Sequence, residues 1–76
     1  MVLDTVTEYV VIGTLVAWDD RGFVLEEADV HDLRMSGATR DFYVYAARQN
    51  GVKVNRRRTH VLRDKVLAIS ELDEAV

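Results

Sequence analysis

Tyr9-Val10-Val11-Ile12-Gly13-Thr14-Leu15-Val16-Ala17-Trp18, followed by the turn sequence Asp19-Asp20-Arg21-Gly22, is the segment on which the fold turns. Its β-branched and aromatic side chains, bounded by turn residues, predict a strand. Alternation puts Tyr9, Val11, Leu15 and Ala17 on one face and Val10, Ile12, Val16 and Trp18 on the other. Both faces are apolar, so the strand is expected to be covered on two sides, by a closed barrel or by another subunit. Gly13 contributes no packing in mid-strand and marks a bend or bulge where the sheet curls.

Downstream, Phe23 to Val30 starts apolar and ends charged, as suits a strand leaving a core, and Gly22 supplies the positive φ of a short hairpin loop joining it to the first strand. His31 to Ala38 is polar and small, with Ser36-Gly37 as a loop signal. Thr39 then offers an N-cap, Asp41 an acid in the first turn, and Asn50-Gly51 a stop, so residues 39–50 are expected to form a helix with Phe42, Tyr45 and Ala46 as its apolar stripe. A strand competes for the same segment, because Phe42-Tyr43-Val44-Tyr45 has high β propensity. Val52 to Arg63 and Val66 to Leu72 read as two further strands, paired in a second hairpin through an Asp64-Lys65 turn. The aromatics, Trp18 included, are expected to fill the core, with base stacking by Phe42, Tyr43 or Tyr45 as the alternative if they are exposed, and residues 73–76 are expected to fray.

The whole chain, residues 1–76, fits a single domain: it is 49% hydrophobic and 30% charged, with no cysteine and no proline. A domain of this size buries only about 60% of the surface exposed by its unfolded chain, which makes self-association a natural supplement. The absence of cysteine excludes disulfides and thiolate metal sites, and makes a cytoplasmic location the default expectation. No uncharged run approaches the roughly 20 residues of a membrane span, so no membrane association is expected. The acidic start, with Asp4 and Glu8 and no base, is unlike a secretory signal.

The formal charge of −3 hides a strong segregation. Met1 to Asp32 carries eight acids against Arg21 alone, Leu33 to Lys65 carries nine bases against Asp41 and Asp64, and the tail is acidic again. The basic block makes Lys53, Arg56, Arg57, Arg58 and Arg63 the candidate nucleic-acid-binding residues. On an extended strand Arg56 and Arg58 share a face and Arg57 takes the other. The competing use of these arginines is ion pairing, within the chain or with a neighbouring subunit. His31, Asp32, Asp29 and the distant His60 lack metal-ligand spacing, and Asp29 to Asp32 reads as a hairpin end with local hydrogen bonds. Ser36 and Ser70 have no neighbouring base, and the four glycines are isolated. No catalysis, cofactor or metal is expected.

Gly13-Thr14-Leu15, then Trp18-Asp19, a turn, and Val24-Leu25-Glu26-Glu27-Ala28 resembles the first signature of the Sm/LSm proteins, to which the bacterial Hfq branch belongs. Val61-Leu62-Arg63 with Val66-Leu67-Ala68-Ile69-Ser70 is similar to the second, in which an Arg-Gly turn precedes the closing strand. The resemblance covers somewhat under half the chain. It implies a mainly β fold: a small, strongly bent, five-stranded Sm-like barrel, here with one short helix inserted at residues 39–50. It also implies a homo-oligomeric ring, built by pairing of edge strands, that binds RNA near its pore. An N-terminal helix of the family type would have to fit within Met1 to Glu8. The family's uracil-reading asparagine is missing from Asp20-Arg21-Gly22, and its Arg-Gly is Arg63-Asp64, so only Arg63 carries over by position. The alternative is a structural or protein-interaction module that binds no nucleic acid.

Overall fold

A computed structural model describes residues 1–75 of the chain. It is mainly β: one sheet of five antiparallel strands in the order β4-β3-β2-β1-β5. The strands are β1 (Val2–Thr5), β2 (Tyr9–Trp18), β3 (Gly22–Asp32), β4 (Arg56–Leu62) and β5 (Val66–Ser70). A one-turn helix, α1 (Leu33–Ser36), and a longer one, α2 (Arg40–Asn50), lie between β3 and β4.

The opening segment behaves as a bent strand. β2 pairs with β3 as a hairpin, and the register between them shifts once across Gly13 and again between Leu15 and Ala17. The reason for glycine is close approach: a Cβ at Gly13 would stand 2.9 Å from Ala28 Cβ and 3.2 Å from the Glu26 carbonyl oxygen. Facing it, Glu27 takes a left-handed φ of 49°. At the hairpin turn Asp19 Oδ1 accepts from the backbone N–H groups of Arg21 and Gly22 at 2.8 and 3.1 Å. Those two bonds hold the Asp19 carboxyl below its ordinary pKa.

Each face of the sheet has its own buried cluster. On one side Val2, Val10 and Ile12 meet Val44 and Ala47 of α2. On the other, Leu3, Val11, Leu25 and Ala28 are buried without any helix over them. That cluster is covered by the sheet itself, because Val61 of β4 and Val66 of β5, from opposite edges, both pack on it. A sheet does this only by curling. Coverage on both faces therefore holds for Val10 to Gly13, whereas Val16 and Trp18 are exposed.

Several expectations are corrected. Met1 to Glu8 holds no helix: Val2–Thr5 is a strand wedged between β2 and β5, and buried Thr5 ties off the following turn by donating to Tyr9 O and accepting from Thr7 N. The last two strands form no hairpin. β4 pairs with β3 and β5 with β1, and a 3-10 turn, Arg63–Lys65, carries the chain between the edges. Asp64-Lys65 contains no glycine for a tight reversal, and each strand pairs elsewhere. Among the described residues no ladder joins β4 to β5. Val52 to Asn55 precedes the strand rather than belonging to it.

The helix expectation wins over the strand: Thr39 Oγ1 accepts from Phe42 N at 3.2 Å as the N-cap, and Gly51 N closes the last turn on Ala47 O at 2.8 Å. Its buried stripe is Val44 and Ala47 with half-buried Tyr43, not Phe42, Tyr45 and Ala46. Small side chains let the helix lie close to the sheet, and the large rings turn outward, Phe42 at 62% and Tyr45 at 57% exposure. Trp18 is likewise outside the core, 72% exposed near the hairpin tip. At the other end, Leu72–Glu74 makes a 3-10 turn and Arg48 donates to Ala75 O at 3.0 Å; the fraying expected at Val76 lies outside the described residues.

Candidate nucleic-acid interface

β4 lies at one edge of the sheet, so its outer backbone groups have no ladder partner among the described residues. Arg56, Arg57 and Arg58 begin this edge and are exposed, with exposed Lys53 just before it. Charge complementarity sets their neighbours. Glu26 of β3 stands opposite Arg58 in register, and the two side chains form an ion pair at 3.2 Å. Arg56 stands opposite Ala28 and donates to the Asn55 carbonyl at 3.0 Å. Arg58 is thus partly neutralised within its own chain, and Lys53, Arg56 and Arg57 form no ion pair with a described residue.

Arg63 does not join this group. At about 3.3 Å per strand residue it lies some five positions, roughly 16 Å, beyond Arg58. It instead opens the 3-10 turn, where its backbone N–H donates to Arg21 O at 2.8 Å. This bond brings the β2–β3 turn against the β4–β5 turn. A shallow cavity of about 520 Å³ lies here, lined by Asp20, Arg21, Leu62, Arg63 and Asp64. Exposed Leu62 and Trp18 share this end of the molecule with the two guanidinium-bearing residues. In the sequence Arg21 is an isolated base in an acidic block and carries no signal; it gains one only where the two turns meet.

A polar cluster at the other end of β3 was also missed. Asp29 is only 3% exposed, and its carboxylate accepts from the Tyr43 hydroxyl and, at 3.0 Å, from Asn55 Nδ2. Asn55 also bridges Val30, accepting from its N–H at 3.0 Å and donating to its carbonyl at 3.1 Å. The Tyr43 ring stacks on His31, with centroids 3.7 Å apart. Burial, then the bond to Asp29, pushes the Tyr43 phenol well above its ordinary pKa. Asp32 caps α1 and pairs with Arg34 at 2.9 Å, which holds its carboxyl below the usual range. The local hydrogen bonds expected here hold at Asp32, whose partner Arg34 is two residues on, whereas Asp29 is reached from farther away, by α2 and by the segment before β4.

Among the described residues no three His, Asp or Glu side chains converge as metal ligands, and no helix is long and apolar enough to cross a membrane. No protein-family model matches the chain, and no curated protein or solved structure matches it significantly.

Proposed function

We propose that this chain is an Sm-like small barrel that assembles into a homo-oligomeric ring and binds RNA or single-stranded nucleic acid through basic residues, without catalysis. The observation that carries the proposal is the meeting of Arg21 and Arg63: their backbone bond of 2.8 Å unites the two turns that, by resemblance, face RNA. Two guanidinium groups and exposed Trp18 at that end supply phosphate neutralisation and a stacking surface, the two needs of single-strand binding. Lys53, Arg56 and Arg57 extend the basic surface along the free edge. Ring assembly rests on both edge strands, β4 and β5, having open backbone groups, with Leu67 and Ile69 exposed on the second. Copies around a ring would multiply weak phosphate contacts through avidity.

Fluorescence anisotropy with labelled single-stranded oligonucleotides at low and moderate salt tests this. Binding that weakens with salt, and falls in Arg63→Glu, is the expected outcome; no binding at either salt removes the proposal.

A second reading is a structural module of the same shape, favoured by the Glu26–Arg58 pair, which uses arginine charge internally. Under it Arg56→Glu disperses the assembly in light scattering. Under the first reading the same variant leaves the ring intact and weakens nucleic-acid binding.

A further inference from the structure

The cleft between α2 and the segment preceding β4 has about 210 Å³ of space, below the roughly 300–1,000 Å³ of drug-sized pockets, and so admits a single ring system. Its lining is mixed in a specific way. Phe42 and Ala46 provide apolar surface, half-buried Tyr43 and buried Asp29 a hydrogen-bonded polar pair, and Asn50 and Lys53 further polar groups. Asp29 is the informative member. Burying a carboxylate is costly unless its acceptor sites are filled. The two oxygens offer about four such sites, and among the described residues they accept only from Tyr43 and Asn55. No basic side chain pairs with Asp29 among the described residues. The carboxylate is held in place from three directions, by its own strand, by Tyr43 on α2 and by Asn55 ahead of β4, and so costs little reorganisation on binding.

We propose that this cleft takes a guanine base, whose adjacent ring N–H and amino donors meet the spare acceptor sites of Asp29 while the ring packs against Phe42 and Ala46. A carboxylate selects this base on simple grounds. Guanine presents two neighbouring donors on one edge, whereas adenine and cytosine set their amino donor beside a ring-nitrogen acceptor, and uracil flanks its single N–H with two carbonyl oxygens that a carboxylate repels. Lys53, on the cleft lining and just ahead of Arg56, places a cation where the nucleotide's phosphate would leave toward the basic edge. The guanine can come from a free nucleotide or from a residue of a strand; the second source rests on the nucleic-acid reading, and the first does not.

Anisotropy is compared for a short oligouridine and the same oligomer carrying one central guanosine. Amide NMR spectra are recorded in parallel with millimolar GMP or UMP. The guanosine oligomer should bind about tenfold more tightly, the effect of one good paired contact to a base edge. GMP but not UMP should shift the Ala46, Ala47 and Gly51 signals. Ala46→Leu fills the cleft while leaving the Asp29 bonds in place, and should erase the guanine preference with oligouridine binding unchanged; Asp29→Asn should erase it too. Equal binding of the two oligomers, with no GMP-specific shifts, overturns the guanine cleft and leaves the nucleic-acid reading standing. GMP-specific shifts at the cleft with neither oligomer bound support the cleft for the free nucleotide and remove the nucleic-acid reading. Shifts elsewhere, or a preference that survives Ala46→Leu, overturn the cleft.

Discussion

Replacing Gly13 by alanine tests whether the bend in β2 exists because two strands touch there. The new Cβ would lie 2.9 Å from Ala28 Cβ, 3.0 Å from Ala28 Cα and 3.2 Å from the Glu26 oxygen. Carbon atoms rest at about 3.5–4.0 Å, so β2 and β3 must part by roughly 0.6 Å or more. Overpacking of this kind costs about 1–3 kcal/mol, a large share of the ~3–5 kcal/mol that a core of this size supplies. Ala28→Gly alone loses a buried methyl, about 0.8 kcal/mol, and adds strand flexibility worth about 0.5–1 kcal/mol. If the two sites were independent the double variant would suffer both losses. Removing the Ala28 methyl, however, relieves the nearest clash, so Gly13→Ala/Ala28→Gly should recover at least ~1 kcal/mol relative to the sum. Recovery is incomplete, since the Ala28 Cα and Glu26 oxygen remain. Urea unfolding followed by circular dichroism at fixed protein concentration measures all four proteins; Trp18 fluorescence is a poor reporter because that ring is already exposed in the fold. Additivity within about 0.5 kcal/mol would refute the close-approach account of Gly13.

Gly22→Ala should be more damaging, because its Cβ would stand 2.0 Å from the Val61 carbonyl oxygen, a backbone atom that cannot swing away. We expect loss of the cooperative urea transition, and a melt like that of the wild type would refute the β3–β4 register there. Thr39→Ala removes the cap of α2 and should cost about 1 kcal/mol, with Thr39→Ser near neutral; equal melts for all three proteins would count against the cap. The raised Tyr43 pKa has a definite sign. The unfolded chain releases that proton first, near 10.0, so stability should fall as pH rises from there through the folded-state value. Tyr43→Phe should flatten this decline; an unchanged alkaline slope would refute the bond between the phenol and Asp29.

What was legible in the chain was local. The β2–β3 hairpin carries its own turn chemistry in Asp19 to Gly22, and α2 carries Thr39 and Gly51 as its start and stop. What was not legible depended on neighbours distant in sequence. Val2–Thr5 is too short and too mixed to announce a strand, and becomes one only because β2 and β5 flank it. The buried face of α2 does not follow from side-chain size: a helix lying close on Val2, Val10 and Ile12 prefers Val44 and Ala47 to the rings of Phe42 and Tyr45. Trp18 is apolar in composition but sits on the part of the hairpin that projects past the core. The basic block is exposed, and its division into an edge group and Arg63 follows from the length of β4.

That division decides how any charge-reversal experiment is to be understood. Arg58 opposes Glu26 both in register and in contact, so Arg58→Glu places like charges face to face on adjacent strands and perturbs the sheet before it tests any ligand. Arg56 and Arg57 form no described ion pair, and their reversal alters the surface potential with little cost to the fold. A loss of binding in Arg58→Glu alone is therefore ambiguous, and Glu26→Arg/Arg58→Glu resolves it. Swapping the pair keeps the net charge and the ion pair while moving the positive charge from the edge strand to its neighbour. If binding depends on cations along the edge, the swap stays weak while the fold recovers. If the arginine acts only by holding β4 to β3, fold and binding recover together, and the edge ceases to be a nucleic-acid surface at that position.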